Sequence, residues 1–214
     1  MNVRDRMTRN PFTVKKTQSV TDARELMKKE KIHRLPVIED NGRLIGIITE
    51  KDILYASPSP ASTLDVWEMT SLLANLKVEK VMTSKPVSCP SDTPVEEAAR
   101  IMSDKDIGGL PVVEGDILVG IITESDLFEI FIELFASRER GIRLTALLPN
   151  VKGELANFAG AIRDAGGDIL SFGTVRGENP TNKLGIVKVS GLSKSALSAA
   201  VKPFVQEIKE LRDL

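Results

Sequence analysis

Gly46-Ile47-Ile48-Thr49-Glu50-Lys51-Asp52 returns 74 positions later as Gly120-Ile121-Ile122-Thr123-Glu124-Ser125-Asp126. Upstream the offset is 75. Ile32, Leu35-Pro36-Val37, Val20, Ala23, Pro11 and Val3…Met7-Thr8 match Ile107, Leu110-Pro111-Val112, Val95, Ala98, Pro86 and Val78…Met82-Thr83. One residue is lost in the second copy, in the turn around Asn41-Gly42. The two copies share 19 identities over about 52 aligned positions, where chance gives roughly three or four, so the chain contains a duplication.

Each copy reads as helix, strand, strand, helix. Val20 to Met27 and Val95 to Met102 carry apolar residues at helical spacing, with Ser19 and Thr93 ahead of them as candidate N-caps. Leu35-Pro36-Val37-Ile38 runs into Asp40-Asn41-Gly42, a hairpin signal, and Leu44 to Ile48 is the return strand. A proline in each first strand suits a strand end or an edge. Thr49 stands just before a helix that starts near Lys51-Asp52.

Thr-x-x-Asp at a helix start puts a hydroxyl and a carboxylate beside free N–H groups. Those donors and the helix dipole favour a phosphate, and a carboxylate nearby suits the vicinal hydroxyls of a ribose. The same four residues also make an ordinary cap, with Thr49 or Thr123 as N-cap and Asp52 or Asp126 in the first turn. Both roles are compatible. His33-Arg34 precedes the first strand and offers phosphate donors or a plain polar pair at a strand entrance. The second copy has Gly108-Gly109 there, so two sites built on this plan would differ.

The composition argues against a metal enzyme. Of 214 residues, 42% are hydrophobic and 28% charged, an ordinary globular balance. Aromatics make up 4%, leaving the core to aliphatic side chains and Met. One cysteine, Cys89, and one histidine, His33, exclude an internal disulfide and a His/Cys-rich metal site. Cys89 reads as a small buried hydrophobe. No apolar run approaches the roughly 20 residues of a membrane span, and the start carries no apolar leader, so a cytoplasmic protein is expected. Net charge is −1, which argues against general nucleic-acid coating. That total conceals segregation. Residues 1–54 hold 12 Lys/Arg against 8 Asp/Glu, residues 78–135 hold 4 against 12, and residues 136–214 hold 12 against 8.

A paired M-T-x-x-P, L-P-V-hydrophobic and G-I-I-T-x-x-D repeat over residues 3–135 resembles a tandem of CBS domains, a Bateman module. The resemblance implies an α/β (α+β) pair, packed through its sheets about a pseudo-twofold axis. It also implies two clefts that hold adenosine ligands: AMP, ADP, ATP or S-adenosylmethionine. Each cleft would mix the copies. The first would take Asp52, Thr49, His33 and Arg34 for ribose and phosphate, with Met82, Thr83, Val87, Ile107 and Gly108 around the base. The second would use Asp126 and Thr123, with Met7, Thr8, Phe12, Ile32 and His33 beside the base. The first is the expected polyphosphate cleft. The second, in the acidic block, would take a cationic or less charged adenosine ligand or stay empty. The expected divisions are residues 1–56, an inter-repeat loop and helix at 57–77, residues 78–136, and a separate unit at 141–214.

Between the copies, Ser57 to Ser62 reads as loop and Leu64 to Leu76 as helix, with Trp67 packing. The run Leu127 to Phe135 is apolar nearly all round a helix and needs cover, either within the module or as a homodimer seam.

The last third reads β-α-β-β-α-β, the ferredoxin-like order. Ile142 to Leu148, Ile169 to Val175 and Leu184 to Val189 are strands. Leu155 to Ala165 is a helix with Leu155, Phe158, Ala159 and Ile162 inward, ended by Gly166-Gly167. Ser193 to Val201 is helical, and Val205 to Leu211 fits a strand or a helix. With the P-N-x-x-G-x-L turn at Pro149 to Leu155, this unit resembles an ACT domain. That implies an amino-acid site at Asn150, Gly153 and Leu155, or a dimerising role. Asn150 and Lys152 depart from the family's usual acid and proline. The whole arrangement resembles the acetoin-utilisation (AcuB-type) proteins, a label that supplies no reaction.

No nucleophile–base pair, phosphate-binding Gly-Lys loop or metal spacing stands out, and His33 has no evident orienting acid. The expected function is a non-enzymatic regulatory sensor, cytoplasmic and homodimeric, that passes ligand state to a protein partner. It needs no catalytic cofactor; an adenosine nucleotide is its regulatory ligand. The competing reading is a dimeric structural adaptor without a small ligand.

Overall fold

The computed structural model describes residues 1–56 and 75–214, and these form two compact units, Met1–Leu127 and Phe128–Leu214. Ser57 to Ser62, Trp67 and most of the inter-repeat helix lie outside the described residues.

In the first unit each copy opens with a single 3-10 turn and a two-residue strand. Copy one then has β1 (Thr8–Arg9), α1 (Val20–Glu30), β2 (Arg34–Ile38), β3 (Leu44–Thr49) and α2 (Glu50–Ala56). Copy two has β4 (Thr83–Ser84), β5 (Cys89–Pro90), α3 (Val95–Lys105), β6 (Gly109–Glu114), β7 (Ile117–Thr123) and α4 (Glu124–Leu134). Ser19 caps α1 in a reciprocal box: its hydroxyl accepts from Asp22 N at 3.0 Å, and Ser19 N donates to Asp22 at 3.1 Å. Thr93 does not do the same for α3. Pro94 takes the N-cap position, and a proline has no N–H to complete such a box. The Thr93 carbonyl instead accepts from Val3 N at 2.8 Å.

The duplication crosses over. β1 pairs with β7 of the second copy, and β4 pairs with β3 of the first, giving sheets β2-β3-β4 and β1-β7-β6-β5. The chain ahead of each short strand is tied in the same reciprocal way. Arg4 N donates to Ser91 O at 2.8 Å, and Val78 N donates to Gln18 O at 2.9 Å. The hairpins also meet at their tips, where Leu44 N donates to Asp116 O and Leu118 N to Gly42 O. Gly42 turns the first hairpin at φ +84°, a conformation that favours glycine. Pro36 sits in an edge strand, β2. Pro111 lies where the short β5 does not reach β6, since β5 pairs only with Val112 and Val113.

Exchange explains the motif glycines. A Cβ on Gly46 would meet Met82 Sδ at 2.5 Å, and one on Gly120 would meet Met7 Sδ at 2.5 Å. The methionine of each M-T pair packs over the bare backbone of the other copy's G-I-I-T strand. The copy-one core gathers Val20, Ala23, Met27, Leu35, Val37 and Ile48, and takes Val78 from beyond the linker. Cys89 is buried, and burial pushes its thiol pKa up, as for an inert core sulfur.

The second unit contains the end of α4, then β8 (Ile142–Pro149), α5 (Glu154–Asp164), β9 (Asp168–Arg176), β10 (Asn182–Ser190), α6 (Lys194–Val201) and β11 (Glu207–Asp213). Its antiparallel sheet runs β11-β8-β10-β9. Alternate residues Ile142, Leu144, Ala146 and Leu148 join Phe158, Ile162, Leu197 and Val201 of the helices in one core. Leu155 is not inward: it is 38% exposed in the first turn of α5, and the buried stripe begins at Phe158. On the other sheet face, buried Lys188 donates to Ala136 O at 3.0 Å. The segment from Val205 is a strand from Glu207 onward.

Candidate functional site: two clefts between the copies

The helix starts α2 and α4 are built alike. Thr49 N and Oγ1 both donate to Asp52 Oδ2, at 2.8 and 2.7 Å, and Asp52 N donates back to Thr49 Oγ1 at 3.2 Å. Thr123 N and Oγ1 donate to Asp126 Oδ2, each at 2.7 Å. Capping is therefore realised in both copies. It engages one carboxylate oxygen of each aspartate and holds both aspartates in a fixed rotamer.

Above each helix start lies a cleft whose opposite wall comes from the other copy's M-T-x-x-P segment. The exchanged strands bring that segment there. A cleft of about 540 Å³ joins His33, Arg34, Thr49 and Asp52 to Thr83, Val87, Ile107 and Gly108. A second, of about 370 Å³, joins Thr123 and Asp126 to Thr8, Phe12, Ile32 and His33. Phe12 and Val87, at equivalent positions, are 50% and 40% exposed and form the apolar side walls. The structure thus brings together every residue expected for each cleft except Met82 and Met7. These two are spent on the packing over Gly46 and Gly120.

Several lining residues were missed. Lys51, Lys85 and Glu50 line the larger cleft, and Lys31, Glu124 and Ser125 the smaller. The signal for the two glutamates was in plain view, because both copies read Thr-Glu-x-Asp. The cations carry no repeat signal, since copy two has Asp106, Ser125 and Gly108-Gly109 where copy one has Lys31, Lys51 and His33-Arg34.

His33 and Arg34 line both clefts. His33 Nδ1 lies 2.8 Å from Glu50 Oε2, so the histidine does have a carboxylate partner after all. Arg34 crosses the midline. Its guanidinium donates to Gly108 O and fills the space that side chains at 108 and 109 would occupy. Burial lowers the Arg34 pKa and the Glu124 carboxylate opposes this, and a guanidinium remains charged throughout.

In the second unit, the turn expected to hold an amino acid is laid out differently. Gly153 caps α5 at φ +86°, and Asn150 Nδ2 donates to Pro180 O at 3.0 Å. Asn150 lines a hollow with Arg176, Asn182 and Lys183 of the β9–β10 hairpin, whereas Gly153 and Leu155 do not. Among the described residues, no three His, Cys, Asp or Glu side chains are grouped to hold a metal ion, and no helix is long and apolar enough to cross a membrane.

The CBS domain family model matches residues 3–59 and 78–133. A CBS domain-containing protein of Dictyostelium discoideum is 34% identical over 133 residues, 62% of this chain and 92% of that protein. Some relatives are longer: the match spans 23% of an L-aspartate semialdehyde sulfurtransferase of Methanocaldococcus jannaschii. Among solved structures, a Vibrio cholerae protein assigned to acetoin utilization (AcuB) is 34% identical, with TM-score 0.55 over 64% of this chain and 96% of that one. The CBS domain pair of protein MJ0100, in complex with 5′-methylthioadenosine and S-adenosyl-L-methionine, is 28% identical, with TM-score 0.52 over 65% and 98%. The CBSX2 protein in complex with AMP is 30% identical, with TM-score 0.52 over 61% and 96%. The chain belongs to the CBS domain family, with two copies in tandem.

Proposed function

We propose that this CBS-domain pair is a non-enzymatic regulatory sensor that binds adenosine ligands in its two clefts. The observation that carries the reading is the duplicated cleft plan. A helix N-terminus and a fixed aspartate from one copy face an apolar wall from the other, in spaces sized for a nucleotide. The helix dipole and the nearby cations suit phosphate, the aspartate oxygen not used in capping suits a ribose diol, and the wall suits a purine. The AMP, 5′-methylthioadenosine and S-adenosylmethionine in the neighbouring structures span anionic, neutral and cationic adenosine ligands.

The larger cleft, with Lys51 and Lys85, is the polyphosphate site in this reading. The smaller, with Glu124 and Asp126, takes a cationic or less charged adenosine ligand. The C-terminal unit is read as a ferredoxin-like ACT domain for dimerisation or amino-acid sensing at its Asn150 end. The molecule would be a cytoplasmic homodimer that signals to a protein partner.

Native mass spectrometry of the protein as purified, followed by thermal melts with AMP, ADP, ATP and S-adenosylmethionine, tests the reading. At 100-fold excess over Kd a ligand adds about 2.7 kcal/mol of stability, a readily measured shift. ATP binding is expected to fall at least about tenfold in the Asp52→Ala/Arg34→Ala double variant, the size of one lost charge-assisted contact. Unchanged ATP binding would sink the assignment. The second reading, an adaptor with no small ligand, draws on exposed Phe128, Phe131 and Leu134 of α4. It is favoured if no adenosine compound shifts the melt.

A further inference from the structure

The two clefts are separate spaces, yet they share one strong cation. At equivalent places copy one carries Arg34 and copy two carries Gly109. A Cβ on Gly109 would meet the Arg34 guanidinium, so the bare glycine lets that side chain lie there. The point a Cβ on Gly108 would occupy is 2.6 Å from Arg34 Nη2 and 2.8 Å from Glu124 Oε2, so both groups border the space over Gly108, and the carboxylate attracts the guanidinium across it. Glu124 lines the smaller cleft only, whereas Arg34 lines both.

We propose that Arg34 couples the clefts through charge: a phosphate in the larger cleft draws the guanidinium off Gly108 and uncovers Glu124 in the smaller one. This rests on the adenosine reading of both clefts. A guanidinium has donors only, so those turned to a phosphate are lost to the Gly108 carbonyl, and its charge moves away from Glu124. The smaller cleft then becomes more acidic. A second anionic nucleotide is penalised there, and an adenosine carrying a positive sulfonium is favoured. By linkage the sulfonium ligand must tighten nucleotide binding by the same factor.

Calorimetric titration of the full chain with S-adenosylmethionine, with and without saturating ADP, reads this coupling. ADP is expected to tighten S-adenosylmethionine binding about 5- to 50-fold, inside the usual range for inter-site coupling. The gain should shrink to under about twofold in Arg34→Met and in Glu124→Gln, each verified as folded by its melt. If the gain persists in both variants, plain attraction between the two ligands is sufficient and the role of Arg34 is overturned. An ADP effect that is absent or reversed overturns it too, as does ADP binding with no S-adenosylmethionine site. If neither compound binds, the adenosine reading itself has failed, and the coupling with it.

Discussion

Gly46 and Gly120 are bare because a methionine from the other copy lies on them. Adding one methyl group to Gly46 forces Met82, or the Thr83 carbonyl 3.2 Å away, to move. Gly46→Ala is expected to cost about 1–3 kcal/mol, the usual penalty of overpacking, measured as a shift in denaturant midpoint. Met82→Ala makes room for that methyl group, so the double variant should lose less than the sum of the singles. Strict additivity would show that the two residues do not share this space. The contact also shows where sequence reading reaches its limit. The repeat exposed both glycines and both methionines, and family resemblance put the methionines beside a base. Only the exchanged strands reveal that each methionine lies on the opposite copy's glycine. Arg34 is a similar case. Its pairing against Gly108-Gly109 was visible as a difference between copies, while its reach across the midline needed coordinates.

Among the secondary-structure elements, the first helices of the two copies start differently despite their common ancestry. The Ser19 box should be worth about 1 kcal/mol, so Ser19→Ala is expected to lower stability by that amount in a chemical denaturation series. No loss on that substitution would mean that the box contributes nothing to α1. The residues before α3 looked equally suited to a cap, but Pro94 takes the cap position and Thr93 falls one place short. The final strand was ambiguous for a definite reason. Ile208 and Leu211 are three apart, a helical interval, yet both pack against the C-terminal core. A bulge between Ile208 and Glu210 inserts one extra residue opposite β8, which brings Leu211 back to the face of Ile208. A bulge erases the period of two by which strands are read, so the spacing alone could not decide.

Among the described residues, α4 carries an exposed apolar surface. On α4, Phe128, Phe131 and Leu134 are 67%, 58% and 62% exposed, while Ile130 is buried. Three large apolar side chains in the open on one helix are the mark of an interaction surface. If a second copy covers them, Phe131→Glu should turn a dimer into a monomer in sedimentation velocity while leaving the melting of the isolated chain nearly unchanged. A wild-type monomer at tens of micromolar concentration would remove the homodimer from the proposal. The sequence showed the duplication and its paired hairpins, because repeated residues report repeated geometry, and the family resemblance supplied the expected lining of the clefts. It showed His33-Arg34 as a difference between the copies but was silent on Lys31, Lys51 and Lys85, since the other copy has no cation at their positions.

The exchanged strands also impose an order of events during synthesis. Thr83 pairs with Ile47 only 36 positions earlier, so the first sheet is complete soon after residue 84 emerges. Thr8 pairs with Ile121, 113 positions away, so β1 finds its sheet well after β4 finds its own. Until β7 has been made β1 waits without that neighbour, and closing the longer loop makes its pairing slower than that of β4.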